Sequence, residues 1–524
     1  MVRSRPALPA GHGEVLTRPE FPEWAGLLAA NREAMRTWDF EVGGRPVTQM
    51  RAEARAEVLA RAQGFSARLG VEVAAPGPAD APIVMTGHQP ELYHPGVWVK
   101  DFLLQRIGEL AGATAVDVVV DSDGFDVLAV SAPCMTPGVA RCRQYLALGG
   151  DTAAFATAPV PDAHALDDFC RAADEMLASL PAPAVRRHFA TFCGHLKGAA
   201  GQADNIAELV TFARRRYEAP AGTDYLEVPV TSVARTQSFL RFVADISLSA
   251  ERFAGAYNAE LAEYRALTKT RSAVQPFPDL GMNQDVVELP LWHLGPQGRA
   301  ALWAHAVDGG VELVADGAAI VRLPAEPVLA VEALLACEAT IAPKALALTL
   351  FTRMFACDLF IHGVGGGRYD QVTDGVARRF YGVEPPRFVM ASMTMYLPLG
   401  AHVVSDDEVA AAKERLNRLE HNPDALLDEV EFDSADERTR AVALATEKAQ
   451  LVAAIAAPDA DKKALGMRIR EVNAELADVL APLRSGFEAE LASLTTQRAA
   501  SEILTDRTYP FCFWAPEEVA DKVR

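Results

Sequence analysis

No run of about eighteen apolar residues occurs anywhere in the chain, so nothing in it reads as a membrane-spanning helix. Cysteine is scarce. The seven present (Cys134, Cys142, Cys170, Cys193, Cys337, Cys357 and Cys512) are odd in number and lack CxxC spacing, which indicates neither a disulfide framework nor a zinc ribbon. Arg3 and Arg5 are followed by no apolar core, so no signal peptide is expected and the expected location is cytoplasmic. Basic residues are also in deficit, 50 Lys and Arg against 70 Asp and Glu, for a formal charge of −20. Phosphate contacts along a nucleic acid need a basic face, so nucleic acid is not an expected partner. A small molecule, even an anionic one, needs only a local pocket of Lys, Arg and backbone N–H groups. Neither GxGxxG nor GxxxxGK[ST] is present.

What is present is a chain of 524 residues, half of them hydrophobic, enough for a large core and two or more domains. Its most informative stretch is Ile83 to Asp126. The apolar run Ile83, Val84, Met85 enters a polar loop, Thr86 to Gly96. An amphipathic segment follows, and a second apolar run, Val116 to Val120, stops at Asp121, Asp123 and Asp126. This pattern predicts a strand, loop, helix and strand joined as a right-handed parallel crossover, with polar residues where open α/β sheets place ligands. Upstream, helices are expected over Pro22–Trp38 and Arg51–Leu69. Downstream, the spacing predicts a strand over Arg141–Leu148, a helical insertion at about 160–220, a strand over Tyr225–Val230 and helices over Ser232–Asp245 and Ala250–Thr268. The segment Gln275 to Trp292 is read as a pocket wall or as a loop into an edge strand. Strands over Val311–Val314 and Ala319–Leu323 are read as continuing the β/α alternation.

A second informative stretch spans residues 341–400. A strand over Leu359–His362 leads into the loop Gly363 to Gly367, a helix is expected from Arg368 to Tyr381, and a strand over Phe388–Leu397 follows. Gly365, Gly366 and Gly367 let backbone approach a ligand, and the N–H groups opening the helix make an anion site. From Ser405 onward the composition is that of long helices. Leu465, Ile469, Val472, Leu476, Val479, Leu483 and Phe487 keep a heptad spacing in one helix, which pairs with an earlier helix over Asp436–Ala457. The expected product is an antiparallel hairpin whose spare apolar edge suits a second copy, hence a homodimer through the C-terminal helices. The aromatic tail is expected to fold back on the core. The domain reading is therefore 1–404 for an α/β core, 405–500 for a helical coiled-coil domain and 501–524 for the tail.

His88, Asp121 and Asp123 are the candidate catalytic groups: the imidazole as acid, base or oxyanion donor, the carboxylates as bases or as partners of a hydroxyl or amine. The plainer alternatives are that His88 satisfies backbone groups and that Asp121 and Asp123 cap a loop or helix. Candidate substrate-binding residues are Thr86, Gly87, Gln89, Tyr93, His94, Lys100 and Asp126 in the first stretch, and His362, Gly363, Gly365, Gly366, Gly367, Arg368, Tyr369 and Asp370 in the second. Lys100 would attract phosphate or carboxylate. No metal-ligand spacing is evident, and no metal is assigned.

The order of these motifs resembles the bacillithiol biosynthesis cysteine-adding enzyme family over roughly residues 80–500. That family carries a TGQQ-type strand end, a Gly-Pro turn before a Lys-bearing helix, an acidic EDHDF-type strand end, a GGPGE-type loop opening a helix and a C-terminal coiled coil. Here stand TGHQ (Thr86 to Gln89), HPG before Lys100, DSDGFD (Asp121 to Asp126), HGVGGGRYD (His362 to Asp370) and the heptads. His88 replaces a Gln, aspartates and a glycine replace the acidic cluster, and Arg368-Tyr369 replaces an acidic loop ending. The resemblance implies a Rossmann-like core, a ligase-type reaction joining cysteine, or an analogue, to a sugar-linked amine, and a nucleotide site. A shorter resemblance of the HQP loop to WbqC-family strand ends and to nucleotidylyltransferase loops implies instead a nucleotidylyl- or acyltransferase centred on His88. A non-catalytic dimeric coiled-coil scaffold is the third reading.

Overall fold

The computed structural model describes residues 7–135, 138–150, 152–272, 275, 277–295, 298–400, 404–432 and 434–524. It is a mixed α/β structure that divides into two compact units: residues 1–134, 141–397 and 507–524 in one, and 135–140 and 398–506 in the other.

The first unit is built on a six-stranded sheet of β1 (Glu14–Arg18), β2 (Ile83–His88), β3 (Thr114–Val119), β4 (Leu226–Pro229), β5 (Leu359–Gly363) and β6 (Val389–Thr394). Their order is β1-β6-β5-β2-β3-β4, parallel except for β1, which runs antiparallel to β6. From β2 the chain moves outward to β3 and β4, then returns to β2's other edge with β5 and moves outward again to β6. The connections diverge at the β2–β5 pair, which is the switch point where α/β sheets hold ligands outside the carboxyl ends of their strands.

Both faces of the sheet are covered, so its central strands are buried without alternation. On one face lies helix α2 (Pro95–Ala111), begun by His94 as N-cap and by Pro95 in its first turn and ended by Gly112 at φ 60°. On the other, Ile83, Met85, Val116, Val118, Leu226 and Val228 share a core with Val47, Met50, Ala54 and Val58 of helix α1 (Val47–Ser66). Helix α3 (Ile206–Glu218) closes the helical insertion, and helix α4 (Val364–Tyr381) connects β5 to β6. Gly87 allows the close approach of β2 to β3, because a Cβ there would stand 2.8 Å from the Val118 carbonyl oxygen.

Four expectations change. The strands around Val311 and Ala319 do not extend the parallel sheet. With Val286–Gly295, Gly298–Val307 and Thr340–Pro343 they form a separate antiparallel sheet, joined by two-residue Asp-Gly turns at Asp308-Gly309 and Asp316-Gly317. Helix α4 begins at Val364 rather than at Arg368, so the glycines are its first turn and not a loop before it. Cys134 and Cys142 are disulfide-bonded across the hairpin of Val127–Cys134 and Ala140–Leu148, a pairing that counting cysteines did not reveal. The fourth concerns the heptads, which are not carried by one helix.

The second unit contains helices α5 (Asp406–His421), α6 (Ala435–Ile455), α7 (Lys462–Val479) and α8 (Ala481–Leu504). Leu419, Leu444, Val472, Leu476 and Leu480 form its core. The heptad run is divided at Leu480, because Pro482 has no N–H and is suited to the first turn of a new helix rather than the interior of an old one. Among the described residues, no helix is long and apolar enough to cross a membrane.

Asp358, 3% exposed, fixes the amino ends of β5 and β2. It accepts from Arg51 at 2.9 Å, from Arg55 at 2.7 Å and from the Ile83 N–H at 2.8 Å. Removing one partner of a buried ion pair costs about 3–5 kcal/mol. Asp358→Ala is therefore expected to destabilise the protein by that order in urea unfolding, and a loss below about 1 kcal/mol would refute this role.

Candidate functional site

Outside the carboxyl ends of β2, β3 and β5 lies an open cleft of about 600 Å³. The end of β2 gives it Gly87 and His88, the loop after it Gln89 and His94, and α2 Lys100. The loop after β3 supplies Ser122 and Asp123. From β5 and α4 come His362, Gly363, Gly365, Gly366, Arg368 and Tyr369. The two stretches singled out in the sequence, about 275 residues apart, thus share one cavity.

Lys100 is almost wholly buried, and its ammonium donates to Thr86 Oγ1 at 3.2 Å and to the Gly87 carbonyl at 2.9 Å. Both acceptors are neutral. Burial lowers its pKa below the ordinary lysine value, against the pull of Asp101 and Asp117. Those two carboxylates belong to a buried network behind α2. Arg214 donates to Asp101, Asp117, Glu218 and Glu227, and Arg215 pairs with Glu218 and Glu227. Burial among neighbouring acids raises the pKa of Asp101 and Glu227 above the ordinary carboxylate range, against the pull of Arg214.

His88 Nδ1 lies 3.2 Å from the Gln89 carbonyl, which can only accept, so Nδ1 carries the proton and Nε2 the lone pair. Burial, reinforced by Lys100, lowers its pKa to about 3. It therefore enters chemistry as a neutral imidazole. His362 has the opposite tautomer: its Nε2–H donates at 2.8 Å to Asp370, and its Nδ1 stands beside Gly366. Burial alone would raise Asp370, but Arg353 and His362 hold it well below the usual carboxylate range. The dyad fixes the His362 ring and leaves Nδ1 as a base.

Helix α4 has eighteen residues and no side-chain cap, so its first N–H groups and the positive end of its dipole face the cleft at Gly363, Gly365 and Gly366. Gly365 borders open space in the cleft. Gly367 serves packing instead, because a Cβ there would come within 2.5 Å of Met390. The cleft thus combines cations and free amides with two oppositely oriented imidazoles, a combination suited to holding an anion beside a proton acceptor.

Not every expected residue lies there. Asp121 points away from the cleft and accepts from Thr231 N and Thr231 Oγ1, the capping duty that its residue type allows. Asp126 is exposed and outside the cleft. Tyr93 is buried, donates to Asp101 at 3.1 Å and packs on Phe511, so it supports the wall from behind. Thr86 and Asp370 also act from behind, through Lys100 and His362. His94 borders the cleft while its Nδ1 caps α2. Asp123 does face the cleft, held by Gln89 at 2.8 Å and by Arg299 at 2.5 Å.

Arg299, Trp292, Lys344 and Arg507 went unrecognised in the sequence. Trp292 carries Arg299 and Lys344 within cation–π distance, 4.8 and 4.4 Å from its ring centre. Lys344 also pairs with Glu288. Arg507 donates to Ser392 and to the Met393 carbonyl. Only Trp292, at the end of the segment read as a possible pocket wall, had a sequence signal. Among the described residues no three His, Cys, Asp or Glu side chains are grouped to hold a metal ion. The chain matches no protein-family model and no curated protein sequence.

His88 is expected to remain neutral in NMR titrations from pH 8 down to about 4.5, where an ordinary histidine titrates near 6.5. Its folded pKa lies below the unfolded value, so the stability it contributes is full above about pH 6.5 and is lost as pH falls toward 3. His88→Gln is expected to flatten that loss. A His88 midpoint near 6 would contradict the assignment.

Proposed function

We propose that the protein is a ligase-type enzyme that condenses an amino compound, cysteine or an analogue, with a small anionic or sugar-linked partner. The observation that carries this reading is the meeting, at the switch point of the sheet, of Lys100 and the start of α4 with the two oriented imidazoles of His88 and His362. Lys100, Arg368 and the amides of Gly365 and Gly366 hold the anionic partner. Asp123, with Gln89, orients the ammonium of the other. The ammonium gives one proton to His362 Nδ1, and the amine so formed attacks the acyl carbon of a carboxylate activated at the expense of a nucleoside triphosphate. Its second proton passes to water, and the phosphate oxygen leaves with the bond's electron pair.

The Rossmann-like character of the core, the pairing of α6 with α7 as a coiled-coil hairpin, homodimerisation through the C-terminal helices and a cytoplasmic location belong to the same reading. So does the resemblance to the bacillithiol cysteine-adding enzymes, now without Asp121 in the chemistry. An open cleft lined by charged groups weighs against the scaffold reading, which calls for a pocket filled by apolar side chains. The nucleotidylyltransferase reading draws on His88, His94 and Lys100 lining the same cleft. Pyrophosphate release from a nucleoside triphosphate, with no amide product, would favour it.

In thermal-shift and calorimetric titrations with ATP, L-cysteine and malate, at least one anion is expected to bind. Lys100→Met should weaken that binding roughly tenfold or more, the effect of losing one hydrogen bond to a charged group. Absence of binding by all three, together with an unchanged cellular thiol pool in a His88→Ala/Asp123→Ala strain, would overturn the proposal.

A further inference from the structure

A second cavity, of about 690 Å³, opens on the other side of the segment that follows β3. Along this segment the side chains alternate: Val118, Val120 and Ser122 line the cleft described above, whereas Val119 and Asp121 line the second cavity. Residues 118–122 are thus a partition with a ligand-accessible surface on each face. The remaining walls come from α1 and the residues after it, the start of α3, the segment after β4 and the edge of the antiparallel sheet.

The charge in this cavity is arranged by depth. Asp121, 3% exposed, forms the floor, and its carboxylate accepts from the N–H and hydroxyl of Thr231. Among the described residues it has no cationic partner. The other carboxylate of the cavity, Glu208, is engaged by both terminal nitrogens of Arg68, at 2.9 and 2.7 Å. Arg61 and Arg235, both exposed, stand at the mouth, where Arg235 is steadied by the Glu338 carbonyl and Thr340. The apolar side chains of Phe65, Val119 and Leu294 also line the cavity.

A buried carboxylate that lacks a counter-ion but borders a cavity is completed by a cation. An inorganic cation would require further free oxygen ligands, and Glu208 is already committed to Arg68. An ammonium needs only Asp121 and neighbouring hydroxyls. The guanidinium groups at the mouth call for a negative group at the ligand's other end, and the apolar walls for a hydrocarbon stem between the two. We propose that this second cavity binds a zwitterionic amino compound, its ammonium on Asp121, its stem along Phe65, Val119 and Leu294, and its anionic end at Arg61 and Arg235. This site goes beyond the proposed ligase reaction and does not rest on it.

The test is saturation-transfer NMR on the full chain with 6-aminohexanoate, hexylamine and hexanoate at millimolar concentration. Transfer is expected to 6-aminohexanoate, more weakly to hexylamine and not to hexanoate. Asp121→Asn, which keeps an acceptor for the Thr231 N–H, should weaken 6-aminohexanoate binding at least tenfold. Arg61→Glu, an exposed substitution, should remove the preference for 6-aminohexanoate over hexylamine, and it decides the matter if the Asn variant fails to fold. In Lys100→Met, where anion binding at the other cleft is weakened, the order 6-aminohexanoate, hexylamine, hexanoate is expected to persist. The proposal is overturned by hexanoate binding as well as 6-aminohexanoate in Lys100→Met, by a folded Asp121→Asn variant that binds normally, by an unaltered preference in Arg61→Glu, or by loss of 6-aminohexanoate binding in Lys100→Met.

Discussion

The parallel pairing of β2 with β5 is the constraint on which the rest depends. These strands lie about 275 residues apart in sequence, and side-chain bonds pin their register at both ends. At the amino end Asp358 accepts the Ile83 N–H, and near the carboxyl end Thr86 Oγ1 donates to the Ile361 carbonyl at 2.8 Å. A slip of one residue would turn every side chain of either strand to the opposite face. Pinned in this way, the loop after β2 and the start of α4 open onto one cavity. Thr86 also accepts from Lys100, so the group that sets the register also positions the cleft's buried cation.

Electrostatics in this molecule is organised in two layers. Behind α2, Arg214 and Arg215 pair with four buried acidic side chains, although Arg215 Nε and Glu227 Oε2 are left without a hydrogen bond. In front of it the polar groups are left incomplete: Lys100 bonds only neutral oxygens, α4 has no side-chain cap, and Asp121 has no cation among the described residues. A network of paired buried charges gives rigidity, and unpaired groups on a rigid support are what a ligand can complete. The overall negative charge is no obstacle, because the cations of the cleft are local and backed by buried acids.

Much of this was legible in the residues. The β2-α2-β3 unit and the β5-α4-β6 unit follow from apolar runs bounded by Gly, Pro and His, and helix 250–268 occurs where its periodicity puts it. The antiparallel sheet was misread because short apolar strands look alike whatever their partners. The Asp-Gly pairs at Asp308 and Asp316 were the local signal that distinguished them. The glycines of α4 suggested a loop because glycine is a poor helix former, yet tertiary packing against Met390 requires it at Gly367. The division of the heptads at Leu480 was signalled by Pro482, two residues inside the new helix.

By itself the sequence determined which segments are strands and helices, because periodicity and caps are local, and it marked the two polar loops that bear the chemistry. Only the tertiary structure decided which of their side chains meet. Asp121 and Asp123 are two residues apart, and strand alternation alone would turn them to one side. The pull of Arg299, from a distant strand, takes Asp123 into the cleft, with the Gly124 N–H also donating to its carboxylate, while Thr231 holds Asp121 on the other face of the partition. Both partners come from remote parts of the chain, more than a hundred residues away, and no local pattern encodes them.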